Sequence, residues 1–283
     1  MTRFSTPVGR HGARAIGAMA IACGFALANP SVRAQTRPAA DACASGDAAA
    51  RITACSDLLK RPESTGAARI GSLVNRAIAY DSTDQFDLAL SDVNAALAID
   101  ARSGLALRAR AAISYRHGRT ADAIRDLNSA LAIQPDDVPA IRLRGTVYAE
   151  SGQIKSAVED FSKVLDHAPS DLPARQSRGL ALAAAGDHGR AIQDFTRVLE
   201  REPRARVARA ARAFSLFRTK QFTRAIGDWD QLLKEDPSQL AYTYCRGAAK
   251  VLSGDETGRA DMESVRQQKP DIAANEAKAC PVG

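Results

Sequence analysis

The chain has 283 residues, of which 45% are hydrophobic, 25% charged and 5% aromatic; this excludes disorder throughout and leaves the interior to Ala, Leu, Val and Ile. The formal charge of +7 invites a nucleic-acid reading, but Arg3, Arg10, Arg14 and Arg33 fall in the first 34 residues with no Asp or Glu among them. Removing those four charges leaves +3, an ordinary surface, so nucleic acid is not expected as a partner.

Residues 1–34 are expected to be a cleavable export signal. Arg3, Arg10 and Arg14 form a basic start, and Ala15 to Ala28 is a 14-residue uncharged apolar stretch. Pro30 breaks it, and Val32-Arg33-Ala34 offers small or apolar residues before a cut at Gln35, with Ala26-Leu27-Ala28 as a second cleavage option. Such a stretch is too short for a comfortable membrane span, and no long uncharged apolar run follows, so no integral span is expected in the mature chain. The rival reading is a lipoprotein anchor at Cys23 in Ala20-Ile21-Ala22-Cys23. The apolar run continues past Cys23, so cutting there would halve it. The expected location is periplasmic or secreted. Cys43, Cys55, Cys245 and Cys280 remain, an even number with no two closer than twelve residues. That spacing favours disulfides over a zinc site, and the lack of Cys-x-x-Cys gives a thioredoxin-like role no support.

Residues 35–69 read as a linker and a capping helix, from about Ala48 to Lys60 with Asp47 as its cap. From 70 to 239 the sequence matches itself at a shift of 34, giving the blocks 70–103, 104–137, 138–171, 172–205 and 206–239. The eighth slot is small (Ala77, Ala111, Gly145, Gly179, Ala213) and the twentieth is always Ala. The twenty-fourth is large and apolar (Val93, Leu127, Phe161, Phe195, Trp229). Each block reads as two helices. In the third, Gly152 separates a first helix from a second over Ile154 to His167; Asp137 and Asp171 are N-caps, and Pro139 and Pro173 sit in first turns where proline loses no hydrogen bond. The small slots let paired helices approach to about 8 Å. A degenerate sixth block is expected over 240–273, with Gly247 at its small slot, one inserted residue, Ala260 arriving late and Pro270 early; 274–283 is left as a tail.

Two charges repeat in register. The seventh slot is Arg76, Arg110, Arg144, Arg178, Arg212 and Arg246, and the twenty-third is Asp92, Asp126, Asp160, Asp194 and Asp228. Because the charges match in number over the five full blocks, and a ligand site seldom recurs at every rung, a structural ladder of ion pairs is expected here. His117, His167 and His188 are scattered, and no G-x-S-x-G, Walker loop or H-E-x-x-H occurs. Neither a catalytic centre nor a cofactor or metal is expected. Seven arginines from Arg197 to Arg218 are left over, read as a solvated face plus the ladder residue Arg212, with an acidic partner or an anionic envelope surface as the alternative.

The small–Ala–apolar pattern in strict 34-residue register resembles the tetratricopeptide repeat family. The resemblance covers 170 residues and departs from the family in lacking Trp at the fourth slot, where Leu73, Leu107, Ile141, Arg175 and Arg209 stand; the two arginines are expected to weaken first-helix packing. It implies an all-α, right-handed solenoid of helix–turn–helix repeats with caps at both ends, acting as a scaffold or adaptor for a protein or peptide of unknown identity. An envelope glycan-, peptidoglycan- or small-molecule-binding protein is the alternative, and an enzyme is disfavoured. The ends of a solenoid lie far apart, so the cysteines are expected to pair as Cys43–Cys55 and Cys245–Cys280. First-helix residues at the second, fifth, ninth, twelfth and thirteenth slots of the family tend to line the concave side. That implies a groove containing Arg108, Tyr115, Arg116, Arg142, Thr146, Glu150, Leu180, Phe214, Phe217 and Arg218. Arg108 and Arg142, outside the ladder, are expected to hold acidic side chains of a partner and to be dispensable for stability.

Overall fold

The structure, a computed structural model, describes residues 40–282. The export-signal and Cys23 readings lie outside the described residues. A capping helix α1 (Ala48–Leu59) leads into five antiparallel pairs: α2 (Gly66–Asp81) with α3 (Phe86–Ile99), α4 (Gly104–Arg116) with α5 (Thr120–Ile133), α6 (Val138–Glu150) with α7 (Ile154–His167), α8 (Leu172–Ala184) with α9 (His188–Arg201), and α10 (Arg206–Arg218) with α11 (Phe222–Glu235). A last group follows, α12 (Leu240–Leu252), α13 (Gly258–Gln268) and α14 (Pro270–Ala279).

Local chemistry sets the helix ends. Asp47, Ser103, Asp137 and Asp171 accept hydrogen bonds from the backbone N–H groups of Ala50, Ala106, Ala140 and Ala174, satisfying donors that a helix start leaves open. Within each pair the chain turns through a left-handed residue at the fifteenth slot. Glycine supplies it at Gly118, Gly152 and Gly186, whereas Asp84 and Lys220 adopt φ of 59° and 60°.

The pairs close through complementary volumes. The five twentieth-slot alanines are fully buried. Where the eighth slot is Gly the facing residue is Phe: a Cβ on Gly179 would lie 2.7 Å from Phe195 Cε1, and one on Gly145 would lie 3.1 Å from Phe161 Cε1. Where the eighth slot is Ala, Val93, Leu127 or Trp229 fills the gap. Consecutive first helices pack on one another (α2 on α4, α4 on α6, α6 on α8, α8 on α10), and second helices make no comparable contact with each other. First helices therefore line the tight, inner side of the solenoid.

The ends are modified repeats. At the N-terminus Ser56 hydrogen-bonds Arg76 as the twenty-fifth-slot residue of a preceding repeat would. Cys55, just before it, thus holds the large-apolar slot, and helical residues 40–44 stand where a first helix would be. The Cys43–Cys55 disulfide, with Cα atoms 4.7 Å apart, takes the place of the small–large contact. At the C-terminus the sixth pair is one residue shorter than the others, not one longer. The first turn of α13 is wound through three-residue hydrogen bonds, Gly258 N–H to Asp255 O and Arg259 N–H to Glu256 O. Gly258, and not Ala260, therefore meets Gly247. The residue expected as a tail boundary, 273/274, falls inside α14. That helix begins at Pro270, directly after Lys269, and ends against Cys280, which is bonded to Cys245 of α12 at a Cα separation of 5.4 Å.

Candidate interaction face

The Arg–Asp ladder is an internal girder. Nε of Arg76, Arg110, Arg144, Arg178 and Arg212 donates to Asp92, Asp126, Asp160, Asp194 and Asp228 at 2.7 to 2.8 Å, and Nη2 donates to the second oxygen of the same carboxylate. The carboxylates are buried. Their hydrogen bonds raise the Arg76, Arg110, Arg144 and Arg178 guanidiniums above their ordinary basicity. The remaining nitrogen, Nη1, reaches back to the twenty-fifth slot of the preceding repeat: Ser56, Asn94, Asn128, Ser162, Thr196 and Asp230 accept from successive arginines. Each arginine so ties three helices and two repeats. In the sixth pair Arg246 engages Asp261, which arrives one residue early. The twenty-fifth slot was missed in the sequence because its residue type varies; the signal is that an oxygen acceptor stands there in every block.

The fourth-slot arginines join this girder. Arg175 lies 3.5 Å from Asp194 and donates to the Pro169 carbonyl at 2.6 Å. Arg209 does the same with Asp228 at 3.6 Å and with the Pro203 carbonyl. Two buried carboxylates therefore serve two guanidiniums each.

Several residues expected to face a partner are engaged internally. Arg108 lies 3.3 Å from Asp137, and Arg142 donates to Asp171 at 3.0 Å. Those carboxylates cap α6 and α8, so each arginine clasps the start of the next repeat, which corrects the expectation that the two are free. Arg116 pairs with buried Asp81 at 2.7 Å, and the same carboxylate takes His117 Nε2 at 3.0 Å. Tyr115 faces Glu150; burial and that carboxylate push its phenol up to about 12. Thr146 donates to the Arg142 carbonyl within its own helix. Phe217 is not a groove residue: it is buried, packed edge-on to Phe222 and against Trp229.

Apolar residues stay open along the inner side, and in the N-terminal half these are Ile78 and Leu105. Leu180, Val207 and Leu252 are 41%, 55% and 38% exposed. Phe214 is half-buried and Arg218 exposed. His188, beside this region, is held below its ordinary pKa by burial and by the Arg218 charge, and Nδ1 lies 3.4 Å from Ser215 Oγ. Among the described residues, one cluster has metal-ligand character, Cys245, Glu276 and Cys280; its two sulfurs are bonded to each other. No described helix is long and apolar enough to cross a membrane.

Family models described as tetratricopeptide repeat match residues 74–138, 116–176 and 177–240. No curated protein matches the sequence. Solved structures with the same fold include the C-terminal part of a TPR repeat-containing protein from Cytophaga hutchinsonii, with a TM-score of 0.65, 16% identity, and 85% of this chain and 98% of that one covered. A tetratricopeptide repeat protein from Parabacteroides merdae gives 0.57 and 19% identity, covering 89% and 99%. YrrB, a TPR protein described as having an unusual peptide-binding site, gives 0.59 and 17% identity, covering 66% and 97%.

Proposed function

The chain belongs to the tetratricopeptide repeat family, and from that premise we propose that it is a non-catalytic scaffold holding an apolar, acid-flanked protein segment on the C-terminal half of its inner face. One observation carries this reading. Among the described residues seven large apolar side chains are exposed, and five of them, Ile78, Leu105, Leu180, Val207 and Leu252, stand at the second, ninth or thirteenth slots of first helices. Their recurrence on the same side of first helices, one in each of five pairs, forms an interrupted apolar strip that favours a contact surface. In the N-terminal half the neighbouring charges are neutralised internally through Asp81, Asp137 and Asp171. In the C-terminal half Arg218 stands beside the strip without an acidic partner among the described residues, and it supplies the charge preference. The inner residues left open are mainly aliphatic, with Phe217 and Tyr244 buried, so the strip offers little for stacking sugar rings, and the glycan reading recedes.

Export to the periplasm or beyond belongs to the same proposal. The basic and apolar character of residues 1–34 and two disulfides support an oxidising compartment. A photo-crosslinking residue at Leu180 or Leu252 is expected to capture a partner in the native envelope, and one at Leu88, exposed on a second helix, is not. Capture from Leu88 alone would place the contact on the outer side and overturn the reading.

A further inference from the structure

Away from the inner face, Arg175, Arg197 and Arg201 line one open cleft of about 550 Å³, together with Ser170, Glu200 and two apolar residues. These arginines occupy the fourth, twenty-sixth and thirtieth slots of the fourth repeat. The fold does not require charge there. The same three slots hold Leu73, Ala95 and Ile99 in the first repeat and Leu107, Ser129 and Ile133 in the second. They hold Ile141, Lys163 and His167 in the third, and Arg209, Gln231 and Glu235 in the fifth. Only the fourth repeat brings three guanidiniums together at this place.

Their internal neutralisation is incomplete. Asp194 already takes two hydrogen bonds from Arg178, and Arg175 reaches it at 3.5 Å. Arg197 has a single exposed contact with Glu200 at 3.2 Å. Arg201 has no acidic partner among the described residues. Farther along the chain, Arg206, Arg209 and Arg212 pair with Glu235, Asp236 and Asp228, but among the described residues no acidic side chain of a neighbouring repeat pairs with Arg197 or Arg201. With Glu200 counted, the cleft presents an excess of two positive charges and a serine hydroxyl. Guanidinium forks match tetrahedral oxyanions in geometry and charge. We propose that this cleft is a binding site for a dianionic phosphate monoester group, held by Arg197 and Arg201 with Arg175 and Ser170 at its base.

A phosphate monoester can be carried by a small soluble molecule or by a lipid headgroup, and the test separates the two. Inorganic phosphate and glycerol 3-phosphate are titrated into the full chain while backbone amide shifts are followed. Vesicles of phosphatidylcholine with and without phosphatidic acid form the membrane arm. Saturable binding is expected, with shifts centred on Ser170 and Arg201. Arg201→Ala should weaken it about tenfold or more, as expected for loss of a charge-assisted hydrogen bond, and Arg197→Ala/Arg201→Ala should abolish it. Arg125→Ala, at an exposed arginine paired with Asp122 on another repeat, should leave it unchanged. Soluble binding names a small ligand, and binding confined to phosphatidic acid names a headgroup. No saturable binding in either arm, or equal binding by the double variant, overturns the proposal; so does equal weakening by Arg125→Ala.

Discussion

Arg144 shows what one residue does in this architecture. Its guanidinium makes two parallel bonds to Asp160 and a third to Asn128, with the two charged side chains only 17% and 3% exposed. Removing one partner of a buried pair leaves the other uncompensated, so Asp160→Asn is expected to destabilise by about 3 kcal/mol. Asn128→Ala removes one bond between repeats and should lose about 1 kcal/mol. Urea unfolding of both variants checks the order; equal losses would mean that the carboxylate is not the centre of the rung. Lys220 is the opposite case, a side chain where the backbone wants none. Its φ of 60° occupies the turn slot that Gly118, Gly152 and Gly186 fill in other repeats. A left-handed conformation disfavours L side chains by roughly 1–2 kcal/mol, partly offset by the greater unfolded freedom of Gly. Lys220→Gly is therefore expected to stabilise by about 0.5 kcal/mol, read as a raised denaturation midpoint with an unchanged m-value.

At the scale of the element, the helix junctions hold what the sequence hid. Arg108 and Arg142 sit at fifth slots, 29 residues before Asp137 and Asp171, and no local pattern links them. Only the stacking of one repeat on the next brings each guanidinium to the N-cap ahead of it. Arg108→Ala/Arg142→Ala should therefore lower stability by about 1 kcal/mol per site, and thermal melting checks it; an unchanged melt would return both residues to the groove. The repeats themselves were legible because the small, Ala and large-apolar slots recur at one spacing and report volume directly. The end pairs were legible only in part: the Asp47 cap and both disulfide pairings stand as read, but at the C-terminus a tightened helical turn removes a residue from the register without changing composition, as at Gly258. Their pinning adds a titrating group. Glu276 of α14 lies against the Cys245–Cys280 bridge, and burial pushes its carboxyl above the usual carboxylate range. A raised acid favours the folded state in its neutral form. That contribution is complete below the ordinary Glu value and is lost as pH rises through the folded one. Glu276→Gln should remove this dependence and make the C-terminal end more stable at neutral pH, seen as a flatter stability profile between pH 4 and 8.

Among the described residues, the main contacts between helices run to adjacent helices and to the next first helix. Stability is then approximately a chain of local terms, and the end units, each packed against one neighbouring unit among the described residues, are the weakest links. The two disulfides sit at those ends and nowhere between. One closes a separation of 12 residues and the other of 35, so the chain-entropy estimate assigns them about 3 and about 4 kcal/mol. Cys55 and Cys280 are fully buried, so the bridges are better removed by substitution than by a reductant acting on the folded chain. In Cys245→Ser/Cys280→Ser, amide exchange should rise through α12, α13 and α14, where the bridge holds the terminal helix onto its neighbours, and stay unchanged in α5, α6 and α7. In Cys43→Ser/Cys55→Ser the rise should be confined to α1 and the start of α2. The Arg rungs pass load only from one repeat to the next, so neither loss has a route to the centre. Exchange that rises equally in α6 and α7 on breaking either bridge would show that the solenoid unfolds as one cooperative unit and that the ladder couples repeats far more strongly than nearest-neighbour contact allows.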